Sequence, residues 1–196
     1  LTDSGVRVPL MVRVPKKWQH LVPGSENRGS KNNKLVSFVD FAPTLLALCG
    51  IDAPAYMQGH NFLNQKNNRE WMYGARDRVD EVFDCSRSVR NNRWLYIRNF
   101  HPFLGWNQPS VFSDLGEIRN EITNYSLNTR THLSNEKTHY TSPQRAPVEF
   151  YDCIADPENT RNLALEKLSP TQKNSLEKAQ RALKRIRKKT RDVGCL

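Results

Sequence analysis

Apolar and polar positions alternate most clearly between Trp71 and Phe100. The apolar-aromatic run Trp71-Met72-Tyr73 leads into Gly74-Ala75-Arg76-Asp77-Arg78-Val79-Asp80-Glu81, eight residues with five charges of both signs. A strand-like lead-in that ends in packed charges reads as a rim, where a sheet delivers polar groups to a pocket. The competing reading is a charged hairpin edge facing water, the usual place for a charge run. Behind it, Cys85–Arg90 reads as a strand, Arg90-Asn91-Asn92-Arg93 as a polar turn, and Trp94–Phe100 as a second strand with alternation at Trp94, Tyr96 and Arg98. Val148–Asp152 predicts one more short strand.

Two segments carry helical spacing. In Val36–Gly50, Asp40 can cap the N-terminus, Pro43 sits in the first turn where its missing N–H costs little, and Gly50 stops the helix. Leu45, Leu46, Leu48 and Cys49 are its expected buried face. The second helix is predicted over 169–191. Ser169 caps it, Pro170 takes the first position and Gln172 stands three residues after the cap. Leu176, Ala179, Leu183 and Ile186 give it one packing stripe, and Lys/Arg residues decorate its end, where cations favour the helix dipole.

Elsewhere the pattern is weaker. Gly5–Pro15 is partly alternating, rich in Val and broken by prolines, and predicts a turn into a strand. Residues 16–34 read as a polar loop and 51–63 as an irregular return. His101–Pro109 is aromatic and turn-rich. Such a loop builds either a sugar-binding wall, since aromatic faces and amide donors suit sugar rings, or a loop pinned by its own side chains. A short helix is expected over 113–122 and an exposed excursion over 124–146. Asp156-Pro157-Glu158-Asn159-Thr160 is a turn.

Composition narrows the classes. The 196 residues are 37% hydrophobic, with mean hydropathy −0.72, enough for a lean core in one large domain. No apolar run approaches the roughly 18 residues that suggest a membrane span. The chain opens without Met and without a signal-peptide pattern, which is expected of a piece of something longer. The net charge is +10, but residues 171–196 hold nine Lys/Arg against two acidic residues and so account for +7. The basicity belongs to the tail rather than to a basic face, and no nucleic-acid partner is expected. Cys49, Cys85, Cys153 and Cys195 form no CxxC pair, which argues against a zinc ribbon. Two disulfides have three possible connectivities, with Cys49 expected as a buried thiol. Asn124-Tyr125-Ser126 is a glycosylation sequon, relevant only to a secreted eukaryotic protein.

Several landmarks together resemble the sulfatases. Gly5-Val6-Arg7-Val8-Pro9-Leu10 resembles the strand after the family's metal-binding segment. Val39-Asp40-Phe41-Ala42-Pro43-Thr44-Leu45-Leu46 with Gly50-Ile51 is similar to the family's "VDLAPTLLDLAGI" helix. Met57-Gln58-Gly59-His60-Asn61-Phe62-Leu63 resembles the following "MQGRSLLP" segment, and Phe150-Tyr151-Asp152 through Asp156-Pro157-Glu158-Asn159-Thr160-Arg161-Asn162-Leu163-Ala164 resembles the C-terminal "ELYDLxxDPxExxNLA". The order and spacing of the four are the specific signal. Gly74–Arg78, Asp80-Glu81, Val89-Arg90 and Tyr96–Phe100 look most like bacterial relatives of N-sulfoglucosamine sulfohydrolase.

The resemblance implies an alkaline-phosphatase-like α/β fold, of which this chain is the C-terminal part. Residues 1–65 would end the catalytic domain, supplying the last strand and helix of a large mixed sheet. Residues 66–196 would form a small antiparallel sheet with the terminal helix packed on it. It also implies a parent enzyme that hydrolyses a sulfate ester or sulfamate of a sulfated carbohydrate, using formylglycine and Ca2+, and a secreted or periplasmic setting. The C/S-x-P-x-R formylglycine motif and the D-[HN]-G metal segment do not occur in residues 1–196. The expectation is therefore no catalytic residue and no metal ligand here, calcium ligands upstream, no activity of this portion alone, and a contribution to the pocket wall. Arg76, Arg78, Asp80 and Glu81 are the implied substrate contacts, because an Arg fork binds sulfate or carboxylate bidentately and carboxylates accept from sugar hydroxyls. His101 is a further implied donor. For each, an internal Arg–carboxylate network is the competing role. Two other functions stay open at this level: a phosphatase or phosphodiesterase of the same superfold, and a non-enzymatic module that binds anions through the basic tail.

Overall fold

The computed structural model describes residues 1–27, 29–64, 66, 68–128 and 140–194, with the side chains of 125–128 outside the description. Two compact units result, one of Leu1–Arg7 with Tyr73–Leu196 and one of Val8–Met72.

The first unit is built on a four-stranded sheet in sequential order: β1 (Met72–Val79), β2 (Val82–Arg90), β3 (Trp94–Asn99) and β4 (Val148–Asp152). β2, β3 and β4 pair antiparallel, with Val89 opposite Tyr96 and Tyr96 opposite Phe150. The expected hairpin forms for a local reason. Asn91 Oδ1 accepts from the N–H groups of Arg93 (2.9 Å) and Trp94 (2.7 Å), an Asx turn that fixes the register. Asp80 and Glu81 turn β1 into β2, with Asp80 at φ 48°, a left-handed conformation that Asp tolerates.

Alternation gives this sheet two different faces. On one, Trp94 stacks on Phe150 with ring centroids 5.0 Å apart, and helix α5 (Pro170–Thr190) lies over β2 and β3. Helix α5 buries Ala179, Ala182 and Leu183. The alanines let the helix approach closely, and burying Leu183 stabilises the contact by about 1.5–3 kcal/mol. Its start is as the sequence predicts. Ser169 Oγ accepts from Gln172 N and Gln172 Oε1 accepts from Ser169 N, with Pro170 in the first turn. The helix ends at Arg191 (φ 51°), and the chain is tied back to the sheet by Arg87, whose fork donates to both carboxylate oxygens of Asp192 at 2.8 Å. The other face carries the apolar cluster Leu95, Ile97, Tyr151 and Cys153 beside a polar strip.

Gly5–Pro15 was expected to lead into a strand. Asp3–Val6 is instead a single helical turn, α1, and no strand forms over 7–15. The α1 turn is fixed by Asp3, whose N–H donates to Asn159 Oδ1 at 2.7 Å and whose carboxylate takes the Arg90 fork. Val8, Leu10, Met11 and Val12 are exposed. A β-branched run without a partner ladder has nothing to hold it as a strand, so the last strand of a large sheet is not seen among the described residues.

In the second unit a 3₁₀ turn (Phe38–Asp40) enters helix α2 (Phe41–Leu48), and Gly50 at φ 72° ends it. Asp40 does not cap α2. It closes a capping box with Ser37 and accepts from His60 N (2.9 Å) and from both Arg69 Nη atoms (2.8 and 2.6 Å). Gly59 is required here, since a Cβ would lie 1.9 Å from the Val39 carbonyl oxygen. The expected buried face is also corrected. Pro43 and Thr44 are buried, Leu45 and Cys49 are exposed, and Leu46 and Leu48 are half-buried.

Of the cysteines, Cys85 is disulfide-bonded, Cys49 and Cys153 are free thiols, and Cys195 lies outside the described residues. The helix expected over 113–122 forms as two pieces, α3 (Val111–Asp114) and α4 (Glu117–Asn128). Part of the expected 124–146 excursion is therefore helical, residues 129–139 lie outside the description, and Arg145 at its end is buried. Of the sequon, Asn124 is an exposed residue within α4 and the side chains of Tyr125 and Ser126 are outside the description. No helix among the described residues is long and apolar enough to cross a membrane.

Candidate functional site

The charged stretch 74–81 becomes strand β1 and its turn, and alternation divides its charges. Asp77 faces the α5 side, where it meets Arg87 at 2.8 Å. Arg76 and Arg78 point to the opposite face, with the polar strip. The floor of that strip is buried. Ser86 Oγ and Asn99 Oδ1 are 2.8 Å apart, Asn99 Nδ2 donates to Glu149, and the Tyr151 hydroxyl donates to the other Glu149 oxygen at 2.7 Å. Burial, reinforced by the Glu149 charge, pushes the Tyr151 hydroxyl far above the ordinary tyrosine range.

Asp84 is the anchor. It accepts from Cys85 N (2.7 Å), from Arg145 through both Nη atoms, and lies 3.2 Å from Arg76 Nε. Trp106 lies against the same two cations, with its ring centroid 4.9 Å from Arg145 Cζ and 6.0 Å from Arg76 Cζ. Two guanidiniums thus share one indole, opposite two buried carboxylates of the strip, Asp84 and Glu149.

The five residues singled out in the sequence have different fates. Arg76 is 23% exposed and joins this cluster. Arg78 is exposed. Its Nε donates to the Asp80 carbonyl at 2.6 Å, and its terminal nitrogens have no partner among the described residues. Asp80 is exposed in the turn. Glu81 accepts from Val111 N at the start of α3. Its own backbone N–H, then that of Val111, hold its carboxyl below the usual range. His101 packs between Phe83 (5.0 Å) and Phe103 (5.4 Å), with Nδ1 buried and unpartnered. The structure thus brings Arg76 and Arg78 to one sheet face and ties Glu81 into a helix start. The loop after His101 lines a cavity of about 380 Å3 with Phe103, Leu104, Asn107, Gln108, Thr123 and Pro143, none of them charged.

Sequence reasoning missed Asp84, Arg145 and Trp106 as a unit. Arg145 had no local signal, because its partner is 61 residues away. Among the described residues no three His, Cys, Asp or Glu side chains converge to hold a metal. The acidic group at the centre, Asp84, is already surrounded by cations, which does not fit a calcium ligand. The arrangement can grip an oxyanion and present an aromatic edge to a ring.

The family described as N-sulphoglucosamine sulphohydrolase, C-terminal matches residues 1–138, and the chain belongs to that family. An ulvan-active sulfatase of Formosa agariphila is 33% identical over 185 residues, covering 93% of this chain and 29% of the relative. A second ulvan-active sulfatase of the same organism is 27% identical over 176 residues, covering 83% and 30%. Among solved structures, a 2-O GAG sulfatase is 19% identical with a TM-score of 0.48, covering 78% of this chain and 25% of that one. A protein in complex with its substrate D-glucosamine-2-N,6-O-disulfate is 16% identical with a TM-score of 0.48, covering 79% and 24%. The chain spans under a third of the length of the curated relatives it matches.

Proposed function

We propose that this chain is the C-terminal part of a sulfatase that hydrolyses a sulfate ester or sulfamate on a sulfated carbohydrate, and that it supplies one wall of the substrate pocket. The observation that carries the reading is the family match over residues 1–138, which takes in β1, β2 and β3 with all five candidate contacts. The reacting groups, formylglycine and Ca2+ with its ligands, belong to the rest of an alkaline-phosphatase-like enzyme, secreted or periplasmic. Residues 1–65 contribute to the end of its catalytic domain and 66–196 form the C-terminal subdomain.

In this reading Arg78 is the substrate contact. Its free fork stands at the outer end of β1 and can take a sulfate or carboxylate in two parallel hydrogen bonds. Asp80, beside it in the turn, accepts from sugar hydroxyls. Arg76 acts one step back, held by Asp84 and adding positive potential to the wall. His101, packed between Phe83 and Phe103, is a further donor in this reading. Glu81 holds the start of α3 and so fixes the turn that follows the end of β1, where Arg78 stands.

The test is Arg78→Ala in the whole enzyme that contains this chain, assayed on sulfated glucosamines. KM should rise about tenfold with kcat nearly unchanged, the signature of lost binding rather than lost chemistry. An unchanged KM removes Arg78 from the wall. An enzyme inactive on every sulfated sugar, with its formylglycine in place, removes the sulfatase reading.

A further inference from the structure

Helix α5 has an outer face that the pocket reading does not use. Arg181, Lys184, Arg185 and Lys188 fall at spacings of three and four, so they form one stripe opposite the packed residues Ala179, Ala182 and Leu183. Lys178 and Lys189 flank it, and 178–188 runs for about 15 Å along the helix axis. All six side chains are exposed, and none has an anionic partner among the described residues. Arg187, by contrast, turns inward, donates to Asp192 and lies over the Phe100 ring at 4.5 Å.

An ordinary solvated helix face interleaves acids with bases at i,i+4. Here Glu177 is the one acidic residue in the helix, and Arg181–Arg185, Lys184–Lys188 and Arg185–Lys189 are like-charged i,i+4 pairs. Such pairs weaken a helix. The favourable effect of the helix dipole reaches only the last turn, so it does not offset the stripe's self-repulsion at Lys184 and Arg185. Glu177, four residues before Arg181, offsets one end of the stripe, and the charge of Lys184, Arg185 and Lys188 has no acidic counterpart in the helix and suits a polyanion outside it.

We propose that this stripe binds the chain of a sulfated polysaccharide, holding the polymer on the enzyme while one of its sugars occupies the pocket. The choice of polyanion rests on the sulfated-carbohydrate reading above and on the face itself. Helix α5 contains no aromatic residue, so it lacks the stacking platforms with which proteins grip single-stranded nucleic acid. The rest of the chain carries only +3, too little for a broad basic footprint.

The experiment compares the whole enzyme with the variant R181Q/K184Q/R185Q/K188Q. Gln keeps helix propensity, and all four positions are exposed. Retention on immobilised heparin and on immobilised DNA is read as the salt concentration of elution, and KM is measured on a sulfated polymer and on a sulfated monosaccharide. The expected result is heparin elution at clearly lower salt, a salt slope reduced by about two or more, and a KM for the polymer about tenfold higher with the monosaccharide unchanged. Unchanged elution and unchanged polymer KM overturn the proposal even if the enzyme is a sulfatase. DNA retention stronger than heparin retention, lost in the variant, overturns the choice of partner. Heparin retention lost in the variant of a protein without sulfatase activity upholds the surface and removes the enzyme reading instead.

Discussion

Arg145 and Asp84, 61 residues apart in the chain, form a buried ion pair on the sheet face turned away from the C-terminal helix, with side chains 1% and 0% exposed. Desolvating two charges is costly, and the pair holds because both oxygens of Asp84 accept hydrogen bonds, from Arg145 and the Cys85 N–H, with the Arg76 charge 3.2 Å away. The pair also ends the 124–146 stretch at a fixed place beside Trp106.

Arg145→Met should lower stability by about 3–5 kcal/mol, because it leaves Asp84 in place without its main partner. The double variant with Asp84→Leu should recover much of that loss. Urea unfolding of the four members of the cycle measures the coupling, and a loss under 1 kcal/mol for Arg145→Met would contradict the role assigned to the pair.

Acid should loosen the C-terminal tie. Arg87, opposed in part by burial and aided by Arg187, holds the Asp192 carboxyl well below its ordinary range. A carboxyl depressed in the folded state stabilises the fold above its unfolded pKa, about 3.9, and that contribution is lost as pH falls below it toward the folded value. Asp192→Asn should cost roughly 1.5–3 kcal/mol at neutral pH and flatten the decline in stability below pH 4. Unfolding followed from pH 7 to 2 reads both effects.

At high pH the critical group is Tyr151. Its hydroxyl is raised by burial and by Glu149, so its contribution is complete below the unfolded tyrosine pKa, about 10, and fades as pH rises beyond it. Tyrosinate absorbance should show a late step, with the Tyr151 hydroxyl titrating only as the protein unfolds. Tyr151→Phe should shrink that late step by one hydroxyl and also leave one Glu149 oxygen without its donor.

Asp40 organises the Val8–Met72 unit. It is 2% exposed and holds Ser37, His60 and Arg69. Asp40→Ala should cost that unit about 3–5 kcal/mol, since the Arg69 guanidinium then loses its carboxylate. Hydrogen exchange should rise over 37–63 and stay unchanged in the sheet strands β2, β3 and β4. Equal acceleration in both units would show that they unfold together.

Helix α5 and the β2–β3 hairpin were legible in the sequence because their determinants are local. Ser169, Pro170 and Gln172 meet within one turn, and Asn91 closes its own hairpin. Family membership was legible through short ordered motifs, and its expected small antiparallel sheet with a packed terminal helix is the architecture of the first unit. The strand expected over 5–15 was not found, because alternation shows that a segment suits a sheet but not that a partner is beside it.

The sequence by itself determined the local elements, the uneven distribution of charge and the family. Only the tertiary structure decided which charges are free. Arg78 keeps an open fork, Arg76 leans on Asp84, Glu81 is taken by the start of α3, and Arg145 is drawn into the interior. A residue's type fixes what it can bind, but its partner depends on which distant segments the sheet brings within about 3 Å, and that distance is not written in local spacing.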